Sequence, residues 1–176
     1  MRMHFLVIAF CSFILCSCSK EENNVTVDDQ NPIVSSNWEM LWSDDFDGEE
    51  LDLSKWNKLS WKPGWVNNEL QAYTDRDTNI FLEDGYLVLQ GNIEPGYSGT
   101  DYVGNNYVSD YTSGRVNTDD KFSTTYGRFD IKAKLPAGKG SWPAIWMLGE
   151  SISSIGWPQC GEIDIMEHVG YDQGLV

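Results

Sequence analysis

Three carboxylates, Glu162, Asp164 and Glu167, fall within the ten-residue stretch GEIDIMEHVG, residues 161–170. Ile163 and Ile165 alternate with the first two acids, the period of a β-strand with one apolar and one acidic face. Uninterrupted alternation would turn Glu167 to the isoleucine side. A β-bulge at Ile165–Met166 returns it to the other two acids. Crowding like charges is costly, and no Lys or Arg within the segment offsets it. Two carboxyl groups pushed to different proton affinities are what cleavage of a glycosidic bond uses, one ionised and one protonated. The competing reading is a solvated acidic face, common on a chain whose net charge is -15.

The elements around this strand share its character. From residue 37 onward no helical period is sustained, and short alternating runs are separated by Gly, Asn, Asp and Pro. Phe129, Ile131, Ala133 and Leu135 alternate with Asp130, Lys132 and Lys134, the pattern of a half-buried strand. Asp84-Gly85 is a turn signal opening a strand over 86–90. Further strands are expected near 38–43, 68–73, 111–117, 142–147 and 161–168. Asn92 to Asp110, rich in Gly, Asn and Tyr, reads as a long loop of the kind that binds ligands. Many short strands between turns predict an all-β sandwich. About 140 residues follow position 36, few for two sheets broad enough to hold a cleft. A sandwich domain running past Val176 is therefore expected.

The first residues read as a leader. Arg2 precedes an apolar run, Met3 to Leu15, too short to span a bilayer but suited to a signal-peptide core. Leu15-Cys16-Ser17-Cys18 resembles a bacterial lipoprotein cleavage box, with residues 1–18 as the leader and Cys18 as the lipidated first mature residue. An ordinary cleaved secretory signal is the alternative. Ser19-Lys20-Glu21-Glu22 resembles an export signal of surface lipoproteins, and residues 19–36 form a polar tether. The expectation is an exported protein on the outer membrane, facing the periplasm or the cell surface. Three of four cysteines lie in the leader, so Cys160 alone cannot make a disulfide framework. The absence of a Cys or His cluster argues against zinc, and the acidic balance against nucleic acid. Eight tryptophans and eight tyrosines suit the apolar faces of sugar rings, although most must serve the core.

The motifs WSDDFDG (42–48), NNELQAYT (67–74), DGYLVLQ (84–90), YTSGRVNT (111–118), YGRFDIKAKLPAGKGSWPAIWMLG (126–149) and WPQCGEIDIMEHVG (157–170) occur in that order. In them, residues 37–176 resemble the N-terminal part of a glycoside hydrolase family 16 domain, specifically its bacterial endo-β-1,3-glucanases, the laminarinases. The resemblance implies a concanavalin A-like jelly-roll sandwich of two antiparallel sheets, with a β-glucan chain lying in a groove across the concave sheet. It implies Glu162 as nucleophile, Glu167 as general acid and then base, and Asp164 as the residue orienting Glu162. Trp142 and Trp146, four apart and so on one face of an unbroken strand, would be stacking platforms rather than core. Arg115 would donate forked hydrogen bonds to sugar hydroxyls, or else pair with a catalytic carboxylate or a surface acid. His168 would tune the acid, contact sugar or serve structure, and Asn67 and Glu69 would border the groove. Asp45 and Gly85 match positions that help hold a structural Ca²⁺ in many members, and catalysis itself needs no cofactor. A monomer is expected. An agarase, another galactan or a mixed-linkage glucan hydrolase is the alternative within the family, and a non-catalytic β-glucan-binding protein the alternative outside it.

Overall fold

The computed structural model of the protein describes residues 3–8 and 38–172. Two compact units are distinguished, residues 1–12 with 45–176 and residues 13–44. In the second unit, residues 38–44 carry no regular element, so the strand expected near 38–43 is not formed. Eleven strands lie among the described residues: β1 (Met3–Ile8), β2 (Asn57–Lys58), β3 (Ala72–Tyr73), β4 (Ile80–Glu83), β5 (Tyr86–Leu89), β6 (Asn92–Thr100), β7 (Asn106–Ser113), β8 (Val116–Asn117), β9 (Ser123–Thr124), β10 (Ala144–Gly149) and β11 (Glu162–Glu167). One helical turn, α1 (Ile152–Ile155), precedes β11. The all-β expectation holds.

The largest sheet runs β11-β10-β1-β8-β2, with β9 also pairing β1. The β1 backbone pairs antiparallel with β10 from Met3–Gly149 to Ile8–Ala144. Of the expected leader and tether this strand alone falls within the described residues, and Cys18 lies outside them. A three-stranded sheet, β3-β7-β6, and the β4–β5 hairpin complete the ladders. All pairings are antiparallel except β3 with β7, a departure from two purely antiparallel sheets. Asp84 and Gly85, at φ 51° and 75°, close the β4–β5 hairpin as the turn signal requires.

Two expectations fail for physical reasons. Residues 92–110 are not a long loop but most of the β6–β7 hairpin, paired from Asn92–Thr112 to Thr100–Asn106. The glycines and asparagines that suggested a loop sit where a ladder tolerates them. Gly96, at φ 75°, lies in the register shift between Ile93 and Tyr97. The Asp101 carboxylate accepts from the Val103 and Asn105 amides and shortens the connection to five residues. Conversely, Phe129–Leu135 joins no ladder among the described residues, and Ile131 is exposed. Alternation states where side chains point once a strand is paired, but it does not supply the neighbouring strand.

The core is built from Leu51, Trp56, Ile80, Leu89, Val116, Ile145 and Met147. A polar network ties the β4–β5 hairpin to the three-stranded sheet. Asn79 Nδ2 donates to the Gln90 carbonyl at 2.9 Å and to Thr112 Oγ1 at 3.0 Å, while Arg76 pairs with Glu94 at 2.5 Å. Gly114 packs so closely here that an added Cβ would lie 2.4 Å from the Asn79 carbonyl oxygen and 2.8 Å from Ile80 Cγ1. Gly114→Ala should therefore lower stability by about 1–3 kcal/mol, read as a lower urea midpoint at unchanged slope. An unaltered midpoint would contradict this packing.

Candidate active site

Among the described residues the acidic strand β11 pairs with β10 alone and is the last strand of the large sheet. Glu162 lies opposite Leu148, Asp164 opposite Trp146 and Glu167 opposite Ala144; Ile163 faces Met147, and Met166 faces Ile145. Ile165 is left unpaired at the register shift, so the bulge falls where the sequence demands it. Residues directly opposite in an antiparallel pair project to the same side. All three acids therefore share a face with Leu148, Trp146 and Ala144, while buried Ile145 and Met147 point the other way. The bulge also shortens the site. The partners of Glu162 and Glu167, Leu148 and Ala144, are four steps apart on β10, about 14 Å at the rise of a strand.

Two indoles reach the glutamates. Trp157 Nε1 donates to Glu162 Oε2 at 2.6 Å, and Trp142 Nε1 donates to Glu167 Oε1 at 3.1 Å. Asp164 is held above the usual carboxylate range, first by partial desolvation and then by the charge of Glu167. Beside Trp146, Arg115 is buried at 4% exposure, just before β8. Its guanidinium lies 4.5 Å from the Trp61 ring centroid, 5.1 Å from that of Trp146 and 5.4 Å from that of Tyr73. Its buried Nε has no hydrogen-bond partner among the described residues. Burial lowers the guanidinium's proton affinity, against the pull of Tyr73, Glu69 and Glu162. Tyr73 donates to Glu69 at 3.0 Å, and burial raises both the Tyr73 hydroxyl and the Glu69 carboxyl.

The site residues read from the sequence distribute as follows. Trp146 stands on the acid face by register, half-buried against Arg115. Trp142 precedes β10, so the unbroken strand expected to align the two tryptophans does not exist. It reaches the acids through its indole and is 62% exposed. Burial of Arg115 removes the surface ion-pair reading. His168 is buried, its amide donating to the Pro143 carbonyl at 3.1 Å, a placement that fits the structural reading better than sugar contact. Asn67, at φ 50°, occupies an exposed turn leading to Glu69. Asp45 is exposed and Gly85 sits in the hairpin turn. Two such donors fall short of the six to eight oxygens that calcium takes, and no group of three acidic, His or Cys side chains placed to hold a metal ion is found among the described residues. Trp157 carried no role in the sequence reading; its signal was its place five residues before Glu162 in WPQCGE.

Known proteins resemble this chain. The family model described as "XgeA-like, catalytic GH16 domain" matches residues 85–174. A beta-glucanase of Rhodothermus marinus is 42% identical over 172 residues, covering 96% of this chain and 54% of its own. Glucan endo-1,3-beta-glucosidase A1 of Niallia circulans is 40% identical over 147 residues, 78% of this chain and 21% of its own. The laminarinase catalytic domain of Thermotoga maritima MSB8 matches with a TM-score of 0.66 and 45% identity, over 77% of this chain and 53% of that one. The fold is the jelly roll of these neighbours. The chain spans about half the length of the Rhodothermus and Thermotoga proteins.

The raised proton affinity of Asp164 has a sign that can be tested. A carboxyl that binds its proton more tightly when folded favours the folded state at low pH, and that contribution is lost as pH rises from the unfolded value through the folded one. Asp164→Asn should therefore gain thermal stability relative to the parent between pH 3 and pH 7. Parallel melting curves across that range would refute the assignment.

Proposed function

The chain belongs to glycoside hydrolase family 16, and from that premise we propose that the whole protein is a retaining endo-hydrolase of β-1,3-glucan. The observation that carries the proposal is the bulged β11, which sets Glu162, Asp164 and Glu167 on one face beside Trp146. The names of the Rhodothermus, Niallia and Thermotoga relatives support the substrate class. Loop differences rather than the fold decide between β-1,3-glucan and the mixed-linkage or galactan alternatives.

The chemistry proceeds in two displacements. The Glu162 carboxylate attacks the anomeric carbon, the bond to the glycosidic oxygen breaks, and Glu167 delivers its proton to that oxygen. Water then attacks the same carbon while the Glu167 carboxylate takes its proton, and the Glu162 ester bond is released. Asp164 stands between them on the shared face and limits how freely Glu162 can turn. Trp142, with its exposed indole, provides the stacking surface for a neighbouring sugar. Buried Arg115 holds Trp146 and Tyr73 in place and supplies positive potential beside the acids. The leader reading belongs to the same proposal: cleavage before Cys18 removes the preceding residues, β1 among them, Cys18 is lipidated, and the tether presents the domain at the outer membrane, where polymeric glucan is met.

The full-length protein should release reducing ends from laminarin faster than from agarose or mixed-linkage glucan. Glu167→Gln should reduce kcat by about 10²–10⁴-fold, and Glu162→Gln at least as much. Proton NMR of early product should show the β-anomer first. Full turnover in either variant, or initial release of the α-anomer, would defeat the proposal.

A further inference from the structure

We propose that Trp157 and Trp142 are positioning residues, each using its indole N–H to fix which oxygen of its glutamate is left to react. The inference rests on the glycosidase reading of Glu162 and Glu167. It adds what aims them. An indole N–H donates a hydrogen bond and neither accepts one nor titrates. The carbonyl oxygen of a carboxylic acid is the better acceptor, so such a bond favours the proton on the other oxygen. Trp142 occupies Glu167 Oε1, so the acid proton is placed on Oε2. Trp157 occupies Glu162 Oε2, and Oε1 is left to approach the anomeric carbon.

Both donors are tied to the backbone beside the glutamate they serve. Gly156–Gly161 forms a tight turn, with the Cys160 amide on the Gly156 carbonyl at 2.9 Å and the Gly161 amide on the Pro158 carbonyl at 3.0 Å. Cys160 is fully buried at its base, and the Gly149 amide joins the turn to the end of β10 at 3.1 Å. At the other end of β11, the amides of His168 and Gly170 donate to the carbonyls of Pro143 and Ser141, on either side of Trp142. Each indole is thus set by the chain immediately before or beyond its glutamate. A neutral donor also suits the task better than a cation. A Lys or Arg beside Glu167 would strongly favour the anion, whereas the acid must carry a proton in one step and recover it in the next.

The test uses the full-length protein and aryl β-laminaribiosides bearing 2,4-dinitrophenol or 4-methylumbelliferone. Values of kcat/KM report the first covalent step. Trp142→Phe should lose about tenfold more on the methylumbelliferyl substrate, which needs the acid, than on the dinitrophenyl one, which leaves as an anion; any weakening of sugar stacking is common to both. Trp157→Phe should lose about tenfold or more on both, because both need the nucleophile. The same leaving-group dependence in the two variants, or no loss in either, overturns the proposal. Benzothienylalanine at each position, which replaces the N–H by sulfur and keeps the ring shape, should reproduce the pattern and separates the hydrogen bond from packing. A second readout needs no turnover. In Glu162→Ala the Trp157 indole proton should exchange with solvent faster while that of Trp142 does not change, and Glu167→Ala should do the reverse. That exchange pattern supports the anchors even where no glucan is cut, and unaltered exchange overturns them.

Discussion

A single unpaired residue, Ile165, decides on which side of β11 the second glutamate stands. Side-chain direction in a strand has period two, so one inserted residue reverses every position beyond it. The partner strand is what makes this reversal definite. Ile145 and Met147 are buried and fix the orientation of β10, which turns Ala144, Trp146 and Leu148 toward the acids. The acids inherit their common face from that ladder, with Ile165 absorbing the extra step. Without it Glu167 would point where Met166 now points, opposite Ile145.

Electrostatics sets the second constraint. Three carboxylates on one strand of a chain with net charge -15 need a nearby source of positive potential. Arg115 is that source, and it comes at a desolvation cost that a buried cation always carries. Three aromatic rings within 5.4 Å offset part of it, on the order of 2 kcal/mol for a desolvated pair. The attraction of Glu69, Tyr73 and Glu162 offsets more. Trp146 is thereby shared: one neighbour is the cation beneath it, and across the ladder stands Asp164. Packing and charge at the site are the same set of residues.

The sequence revealed what depends on local periodicity and turn chemistry. The acidic strand, its bulge and the Asp84-Gly85 hairpin could all be read from neighbouring residues, because parity and positive φ are local constraints. The β6–β7 hairpin was hidden because its glycine and asparagine occupy a bulge and strand ends, which composition cannot distinguish from a loop. The 129–135 run erred the other way, since pairing depends on a distant strand. At the site, the placement of Arg115 beneath Trp146 and of Trp157 against Glu162 follows from tertiary packing and turn geometry. Neither leaves a period in the sequence. Trp142 was named for the right neighbourhood on the wrong ground: a hydrogen bond brings it to the acids, not strand spacing.

Asp164 then acquires a role that its position alone does not state. Its register partner is Trp146, the half-buried member of the face, while the flanking glutamates lie opposite Leu148 and Ala144 and take indole bonds from outside the ladder. Desolvation falls on the middle acid, and the charge of Glu167 adds to it. Of the two charge states open to the middle position, the neutral one is therefore favoured more than in water, and it removes one of three mutually repelling charges. A protonated Asp164 also has a hydrogen to donate to a carboxylate beside it, where an ionised one can only accept. Gaining one proton removes its repulsion of Glu167. That gain is eased by the bulge, which brings Glu167 round to the face that Asp164 occupies.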